Sequence, residues 1–285
     1  GQGLETTLAQ VAHEILGLPV DAVRVVHGDT ALSPYSTGTW GSRCAVMAGG
    51  AVATSCETLA RRLKHIGAHL LQCDTTETVI EEAEVKGPTG SVPIAQIAHG
   101  WYRRPQDMPD DVAPEGLEVT EGYRTERDSG TFSYAAHACV VAVDTDIGSV
   151  DILDYVIVED GGVLINPMVV DGQVYGGTAQ GLGTALFEEM IYDEHGQPLA
   201  TTLGEYLLPS AVEMPAVRLD HMETPSPYTK FGQKGLGEGG AIGPPAAIAN
   251  AINDALKDMD VAVDRLPMSP ARLFELIRAR QVSPD

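Results

Sequence analysis

The residue with the clearest potential for chemistry is Glu238, which lies in the glycine-rich segment Lys234-Gly-Leu-Gly-Glu-Gly-Gly-Ala-Ile-Gly-Pro-Pro245. Glycines on both sides of a carboxylate let the backbone approach a bulky ligand closely. A carboxylate held there at a helix start and shielded from water suits general-base catalysis. The alternative is an acidic residue in the first turn of a helix, where the helix dipole favours negative charge.

The same segment contains a possible dinucleotide-binding pattern. Gly235, Gly237 and Gly240 form G-x-G-x-x-G, and Asp260 follows about 20 residues later, as that fingerprint requires. However, the fingerprint must directly follow a buried strand, and residues 223–231 are polar with two prolines. The carboxylate within the glycines would also lie where a pyrophosphate should bind. The sequence therefore disfavours a nucleotide site here.

Two glutamines lie between small residues at expected helix starts, in Gly1-Gln2-Gly3 and in Ala179-Gln180-Gly181. An amide side chain offers one acceptor group and two N–H donors, which suits a polar heterocycle or an oxo group. Each motif taken alone is better explained as a helix-capping or packing device.

The loop Thr37-Gly-Thr-Trp-Gly-Ser-Arg43 precedes a predicted helix that starts near Cys44. It combines hydroxyl groups, backbone N–H groups and one cation, which together can bind a phosphate without a Walker sequence. Ordinary turn formation explains the same residues equally well when the loop is considered alone.

Composition excludes several classes of protein. The chain has 285 residues, with 18 Lys and Arg against 40 Asp and Glu, giving a net charge of −22. Such a charge disfavours binding to nucleic acid or to an anionic membrane, and no apolar run approaches the roughly 20 residues that a membrane span needs. The four cysteines form no CxxC pair, which argues against a structural zinc site or an iron–sulfur cluster and favours reduced thiols in a cytoplasmic protein. They are Cys44, Cys56, Cys73 and Cys139.

Hydrophobic periodicity predicts how these residues are positioned. Helical patterns occupy residues 4–16, 44–70, 91–99, 169–189 and 245–256, with a last helix starting at Ser269-Pro270. Alternating patterns predict strands at 22–26, 78–85, 117–123, 138–144 and 150–158, the last three as an antiparallel meander. The expected fold class is α+β (mixed α/β), with mixed sheets flanked by helices.

The segment 103–116 is rich in proline and acidic residues and is the best candidate for a surface connection. We therefore expect a first α/β portion at 1–116 and a second, which carries the Glu238 loop, at 117–285. The sequence opens on a helix with no strand before it, which suggests the C-terminal part of a longer protein or one subunit of a split one.

Five motifs in this order resemble the molybdenum hydroxylase family, which includes the large subunits of xanthine dehydrogenase, aldehyde oxidase and aerobic carbon monoxide dehydrogenase. They are GQGLETTLAQVA, HGDT with GTWGSR, EDGGVLINPMVVDGQVYGGTAQGLGTALFEE, TTLGEYLLPSAVEMP and KGLGEGGAIGPPAAIANAINDAL. The resemblance spans nearly the whole chain and is strongest to the bacterial carbon monoxide dehydrogenase-like branch. It implies the C-terminal molybdopterin-binding portion of such a subunit.

The resemblance also implies residue roles. Molybdenum would be held by a pterin cofactor, in its cytosine dinucleotide form, with no direct protein ligand to the metal. The cofactor-binding residues would be Gln2, Gly3, Thr39, Gly41, Ser42, Arg43, Cys44, Gln180, Gly181, Lys234, Gly235, Leu236 and Gly237. Cys44 departs from the serine common at its position. Glu238 matches the catalytic carboxylate of the family.

The activity implied is hydroxylation of an aldehyde, an N-heterocycle or a related substrate, with water as the oxygen source. Iron–sulfur clusters and FAD would lie on partner chains, and the earlier part of the large subunit would be a separate chain. Two alternatives remain: a non-catalytic assembly or cofactor-carrying subunit of the same fold, and the less favoured dinucleotide-binding oxidoreductase domain.

Overall fold

The computed structural model describes residues 1–112, 115–127 and 131–282, and the chain divides into two compact units. Unit 1 comprises Gly1–Thr131 together with Pro225–Lys234, and unit 2 comprises Phe132–Thr224 together with Gly235–Asp285. The boundary expected after Gly116 lies within unit 1. No helix among the described residues is both long enough and apolar enough to cross a membrane.

The helices of unit 1 are α1 (Leu4–Leu16), α2 (Cys44–Leu71) and α3 (Ile94–Arg103). The first ends at Gly17, as predicted, and the second agrees with the predicted helix to within one residue. These helices pack around a core in which Leu16, Leu63, Ile66 and Ile97 are buried.

The sheet of unit 1 contains β1 (Val79–Glu81), β2 (Glu84–Gly87) and β3 (Gly90–Pro93), all antiparallel in the order β1-β2-β3. Glu82 and Ala83 both have positive φ and form the turn between the first two strands. The single strand expected at 78–85 is therefore a hairpin, and the helix expected from Ser91 begins only after the third strand.

Two strands that the sequence predicted in unit 1, at 22–26 and 117–123, do not form. The segment 22–26 starts with the end of a 3-10 turn, Val20–Ala22, and has no strand partner. The segment 117–123 does not join a sheet. Its backbone carbonyl at Glu118 instead accepts a hydrogen bond from the Arg62 side chain. At its end, the Tyr123 ring packs on Gly50 of α2.

The sheet of unit 2 contains β4 (Tyr134–Asp144), β5 (Ser149–Asp160) and β6 (Val217–Met222). The first two strands form the predicted antiparallel hairpin, with a β-bulge between Val140 and Val141. The third strand is not the predicted 117–123 but β6, which runs parallel to β5. A parallel pair needs a long crossover, and residues 161–216 provide it.

The helices of unit 2 are α4 (Pro167–Leu186), α5 (Gly239–Leu256) and α6 (Pro270–Val282). Helix α5 begins six residues before the predicted start at Pro245. Both Pro244 and Pro245 therefore lie inside it. It packs along α4 and against the sheet, over a core that includes the buried residues Tyr155, Ile157, Val174, Leu182, Ile248 and Ile252.

Candidate cofactor-binding and catalytic sites

The loop before α2 has a backbone shaped by positive φ angles. Gly38 has φ 89°, Gly41 has φ 59° and Ser42 has φ 55°. A Cβ at either glycine would meet no atom within 4 Å, so this side of the loop faces open space. Positive φ is costly for residues other than glycine. The loop therefore exposes its backbone at the N-terminus of a 28-residue helix.

A cavity of about 650 Å³ opens beside this loop in unit 1. It is lined by Trp40, Gly41, Arg43, Val46, Met47, Arg124, Thr125, Glu126 and Thr131. The Arg43 guanidinium carbon lies 4.7 Å from the centroid of the Trp40 ring, a cation–π contact that restrains the cation at the cavity. Two guanidinium groups near a helix N-terminus are suited to binding phosphate.

Sequence analysis did not identify Arg124. It follows a segment that was expected to form a strand, and it belongs to no motif. Its one sequence signal is a positive charge in a chain with more than twice as many acidic as basic residues. The cavity shows that this arginine and Arg43 line the same space.

The predicted residues of the loop before α2 lie close together around its first turn. The Thr39 hydroxyl oxygen and the Cys44 sulfur are 3.0 Å apart, at hydrogen-bonding distance. The Trp40 indole N–H donates to the Thr37 carbonyl oxygen at 3.0 Å. The thiol at position 44 therefore connects the loop to the helix.

Gln2 and Gly3 lie at the start of α1. Gly3 is in the left-handed conformation at the N-cap, and its carbonyl oxygen accepts from both the backbone N–H and the hydroxyl of Thr7. The Gln2 residue is exposed. This geometry explains Gly3 as a helix-start residue, and the cofactor contact of both residues remains a prediction.

Gln233, another residue that sequence analysis missed, fixes the segment before Lys234 to the start of α2. Its side chain is buried, its Nε2 donates to the Ala45 carbonyl oxygen at 3.2 Å, and its Oε1 accepts from the Phe231 N–H at 2.9 Å. Lys234 is also buried. The available signal was a glutamine next to a glycine, Gly232, a pairing that also occurs at Gln173 and Gln197.

Gln180 and Gly181 lie in the middle of α4 rather than at its start. A Cβ at Gly181 would lie 2.7 Å from the Ala241 carbonyl oxygen and 2.8 Å from Cγ of Pro244, both on α5. This glycine therefore permits close helix packing. The Gln180 residue is exposed, and its role in cofactor binding remains a prediction.

Glu238 occupies the N-cap position of α5 and is exposed. The expected shielding from water is therefore not found within this chain. Of the preceding residues, Gly235 is buried, Leu236 packs on Gly161, and Gly237 is exposed. The position suits both the catalytic prediction and the dipole alternative.

Glu159 begins the motif EDGGVLINPMVVDGQVYGGTAQGLGTALFEE, but no role was predicted for it, and its buried carboxyl group contacts the start of α5. It is 1% exposed, and its Oε1 packs directly on Gly239. Burial raises the pKa of Glu159 to about 7, although the neighbouring His221 acts in the opposite direction. A buried polar residue of this kind gives no periodic pattern from which it could be predicted.

Most of the chain matches the model of one protein family. Residues 1–215 match the model of the molybdopterin cofactor-binding domain. The chain belongs to this family. The predicted resemblance to the molybdenum hydroxylases is thereby confirmed, and so is the fold class of mixed helices and sheets.

Curated relatives of this molybdopterin-binding domain support the same assignment. The large subunit of nicotine 6-hydroxylase from Paenarthrobacter nicotinovorans is 39% identical over 276 residues, covering 96% of this chain and 34% of the relative. The carbon monoxide dehydrogenase large chain of Afipia carboxidovorans is 33% identical over 279 residues, covering 97% and 34%. The chain thus spans about a third of the length of these relatives.

Among solved structures, quinoline 2-oxidoreductase from Pseudomonas putida 86 superposes with a TM-score of 0.86 at 36% identity, covering 98% of this chain and 35% of that one. The molybdopterin-binding family also accounts for the glycine pattern at Gly235. Strand β6 ends at Met222 and is followed by turns, so the strand that a dinucleotide fingerprint requires does not precede that glycine.

Proposed function

We propose that this chain is the molybdenum-cofactor-binding portion of a molybdenum hydroxylase that oxidises an aldehyde, an N-heterocycle or a related substrate, with water as the oxygen source. The observation that carries the proposal is the cavity in front of α2, which both Arg43 and Arg124 line. An open glycine-rich loop and two guanidinium groups match the chemistry of a cofactor that carries phosphate groups.

The residues around the cavity fit such a cofactor. Arg43 and Arg124 would bind its phosphates, and the backbone at Gly41 and Ser42 would approach it closely, since no atom occupies the space beside the glycine. The size of the cavity is compatible with the cytosine dinucleotide form. Gln2, Gly3, Thr39, Cys44, Gln180, Gly181 and the residues from Lys234 to Gly237 are the remaining proposed contacts.

When bound, the molybdenum cofactor supplies the two-electron oxidation of the substrate carbon. Glu238 is the proposed general base, and its carboxylate would accept the proton released during hydroxylation. Because this carboxylate is exposed, we propose that the preceding part of the large subunit, as a separate chain, covers it and completes the substrate pocket.

The electrons would leave through iron–sulfur clusters and FAD on partner chains of a cytoplasmic complex. The cysteines support this assignment, because all four are free and each is only partly buried at a different place in the chain. The names of two relatives, nicotine 6-hydroxylase and quinoline 2-oxidoreductase, favour N-heterocycles as the first substrates to test.

Metal and pterin analysis of the native complex tests the proposal. We expect molybdenum and pterin in equal amounts, together with oxidation of one substrate from a panel of an aldehyde, a purine, nicotinate and quinoline, using an artificial electron acceptor. A complex without molybdenum would refute the proposal. A molybdenum-loaded complex that oxidises none of them would support the non-catalytic cofactor-carrying alternative.

A further inference from the structure

A second carboxyl group lies beneath the residue that follows Glu238. Glu159 stands near the end of β5, and a Cβ at Gly239 would overlap its Oε1. Gly239 is the first residue of α5, so the start of this helix rests on the Glu159 carboxyl group. Any change in the size or position of that group must displace the backbone next to Glu238.

The Glu159 carboxyl group lacks the partners that an ionised carboxylate needs. Its Oε2 is buried without a hydrogen-bond partner. The next residue differs, because one oxygen of the Asp160 carboxylate accepts from the Gly162 N–H at 2.9 Å and both accept from the Thr224 N–H. Burial without donors favours the protonated form, and the pKa of Glu159 is accordingly raised to about 7.

A second titratable side chain lies on the strand next to this carboxyl group. His221 is paired in register with Glu159 on the adjacent strand β6, and its Nδ1 is buried without a partner. The Nε2 of His221 is 2.7 Å from Oδ1 of Asp171 on α4, whose side chain is 47% exposed. The imidazole next to Glu159 in register is therefore held by a partly exposed acid of α4.

Among the described residues, further titratable groups lie on the elements around this carboxyl group. From β6 it meets His221, and from the start of α5 the nearest acid in sequence is Glu238. Strand β4 contributes His137 on the same face of the sheet, where it packs on Gly243 and is 3.1 Å from the Tyr155 hydroxyl. Burial lowers the pKa of His137, so it stays neutral where Glu159 titrates.

We propose that Glu159 is a positioning residue for Glu238, with a carboxyl group that supports the first residue of α5. This inference rests on the proposed function for the role of Glu238, but the contact and the protonation are properties of this chain alone. Ionisation of Glu159 places an unpartnered charge beneath Gly239, and we infer that the helix start shifts in response.

Infrared spectroscopy of the assembled protein tests the protonation without any activity measurement. We expect the absorption of a buried protonated carboxylic acid that disappears as pH rises, with a midpoint near 7. Glu159→Gln should abolish it, and His221→Asn should move the midpoint to higher pH, because His221 lowers the pKa of Glu159. The control Glu223→Gln, at an exposed residue after β6, should retain it. Persistence of the absorption in Glu159→Gln would overturn the proposal.

Turnover per bound molybdenum tests the positioning role. Glu159→Ala should lower kcat on the order of tenfold with KM and molybdenum content little changed, since small displacements of a catalytic group are costly. Glu159→Gln keeps the shape of the side chain, so its kcat should recover most of that loss. The kcat of the parent should change with pH near 7, where Glu159 titrates, and the kcat of Glu159→Gln should not. Equal kcat values and pH profiles in all three proteins would refute the role.

Gly239→Ala changes the same contact from the helix side. This variant replaces Glu159→Ala in the test if Glu159→Ala does not form the assembled protein. Its added methyl group should displace the carboxyl group and move the infrared midpoint, and an unmoved midpoint would refute the contact. A complex that lacks molybdenum would contradict the proposed function alone, because the infrared titration needs no cofactor.

Discussion

Gly240 of α5 lies directly against the backbone carbonyl of Val174 on α4, so closely that a Cβ at Gly240 would overlap the carbonyl oxygen. Gly177, one turn further along α4, is matched in the same way, since its Cβ would lie 3.0 Å from the Ala241 N and from Cα of Gly240. The two helices therefore meet at backbone distance. This contact fixes the first turn of α5, directly after its N-cap residue Glu238.

Gly240→Ala should lower the stability of the protein, because the added methyl group has no space between the two helices. We expect a loss of about 1–3 kcal/mol, typical of overpacking in a core. The midpoint of thermal unfolding measures it. Gly176→Ala on the open side of α4 is the matched control and should stabilise by up to about 1 kcal/mol through helix propensity. Equal effects of the two changes would contradict the close packing.

Arg43→Ala should reduce cofactor retention more than turnover per bound molybdenum, because a phosphate contact holds the cofactor and takes no part in proton transfer. Loss of a charge-assisted hydrogen bond of about 1.5–3 kcal/mol weakens binding by roughly ten- to a hundredfold. Molybdenum content after gel filtration measures it. Arg61→Ala, at an exposed position of α2, should leave the molybdenum content unchanged. Full occupancy with lost turnover would assign Arg43 to the substrate instead.

Glu238→Gln should leave molybdenum and pterin content near normal but slow reduction of the metal centre by substrate on the order of a hundredfold or more. Glutamine keeps the size and polarity of the side chain and cannot accept the proton. Stopped-flow absorbance follows this half-reaction separately from later electron transfer. Glu275→Gln, exposed on α6, is the control. Reduction at the parental rate would leave Glu238 with the dipole role only.

Stability should fall as pH rises through the range in which Glu159 titrates. Its pKa is raised from 4.5 to about 7 in the folded protein, so between these values the folded state holds more protons than the unfolded state. The favourable contribution is complete below pH 4.5 and is lost as pH rises through about 7.

In the Glu159→Gln variant this loss should disappear. Between about pH 5 and about pH 8, its free energy of unfolding should improve relative to the parent by roughly 2–3 kcal/mol. Denaturant unfolding at several pH values measures the difference, and the exposed Glu223→Gln variant should track the parent. A constant difference between Glu159→Gln and the parent would contradict the raised pKa.

Local sequence signals predicted the helices better than the sheets. The end of α1 at Gly17 and the extent of α2 follow from periodicity and a glycine C-cap, both of which are local. The hairpin at Glu82 and Ala83 was missed because neither residue is a usual choice for positive φ. The pairing of β5 with β6 was missed because more than fifty residues separate the strands, and no local pattern encodes a parallel partner.

The candidate site was predictable where motifs carry it and not where burial creates it. The loop ending at Arg43 was found from its glycines, hydroxyls and cation. Gln233 and Glu159 were missed because their importance depends on the neighbours that the fold supplies, the Ala45 carbonyl oxygen and the backbone at Gly239. Glu238 was predicted as the catalytic carboxylate and stays a prediction, and the burial expected for it depends on groups outside the described residues.

The assignment of Pro225–Lys234 to unit 1 has a consequence for biosynthesis. The Ala45 carbonyl near the beginning of the chain receives its hydrogen bond from Gln233, 188 residues later. On the ribosome, unit 1 therefore cannot reach its final structure until the segment Pro225–Lys234 has been translated, after all three strands of the sheet in unit 2. A nascent chain arrested at Thr131 would lack Gln233, and the start of α2 beside the phosphate-binding loop would lack this hydrogen bond.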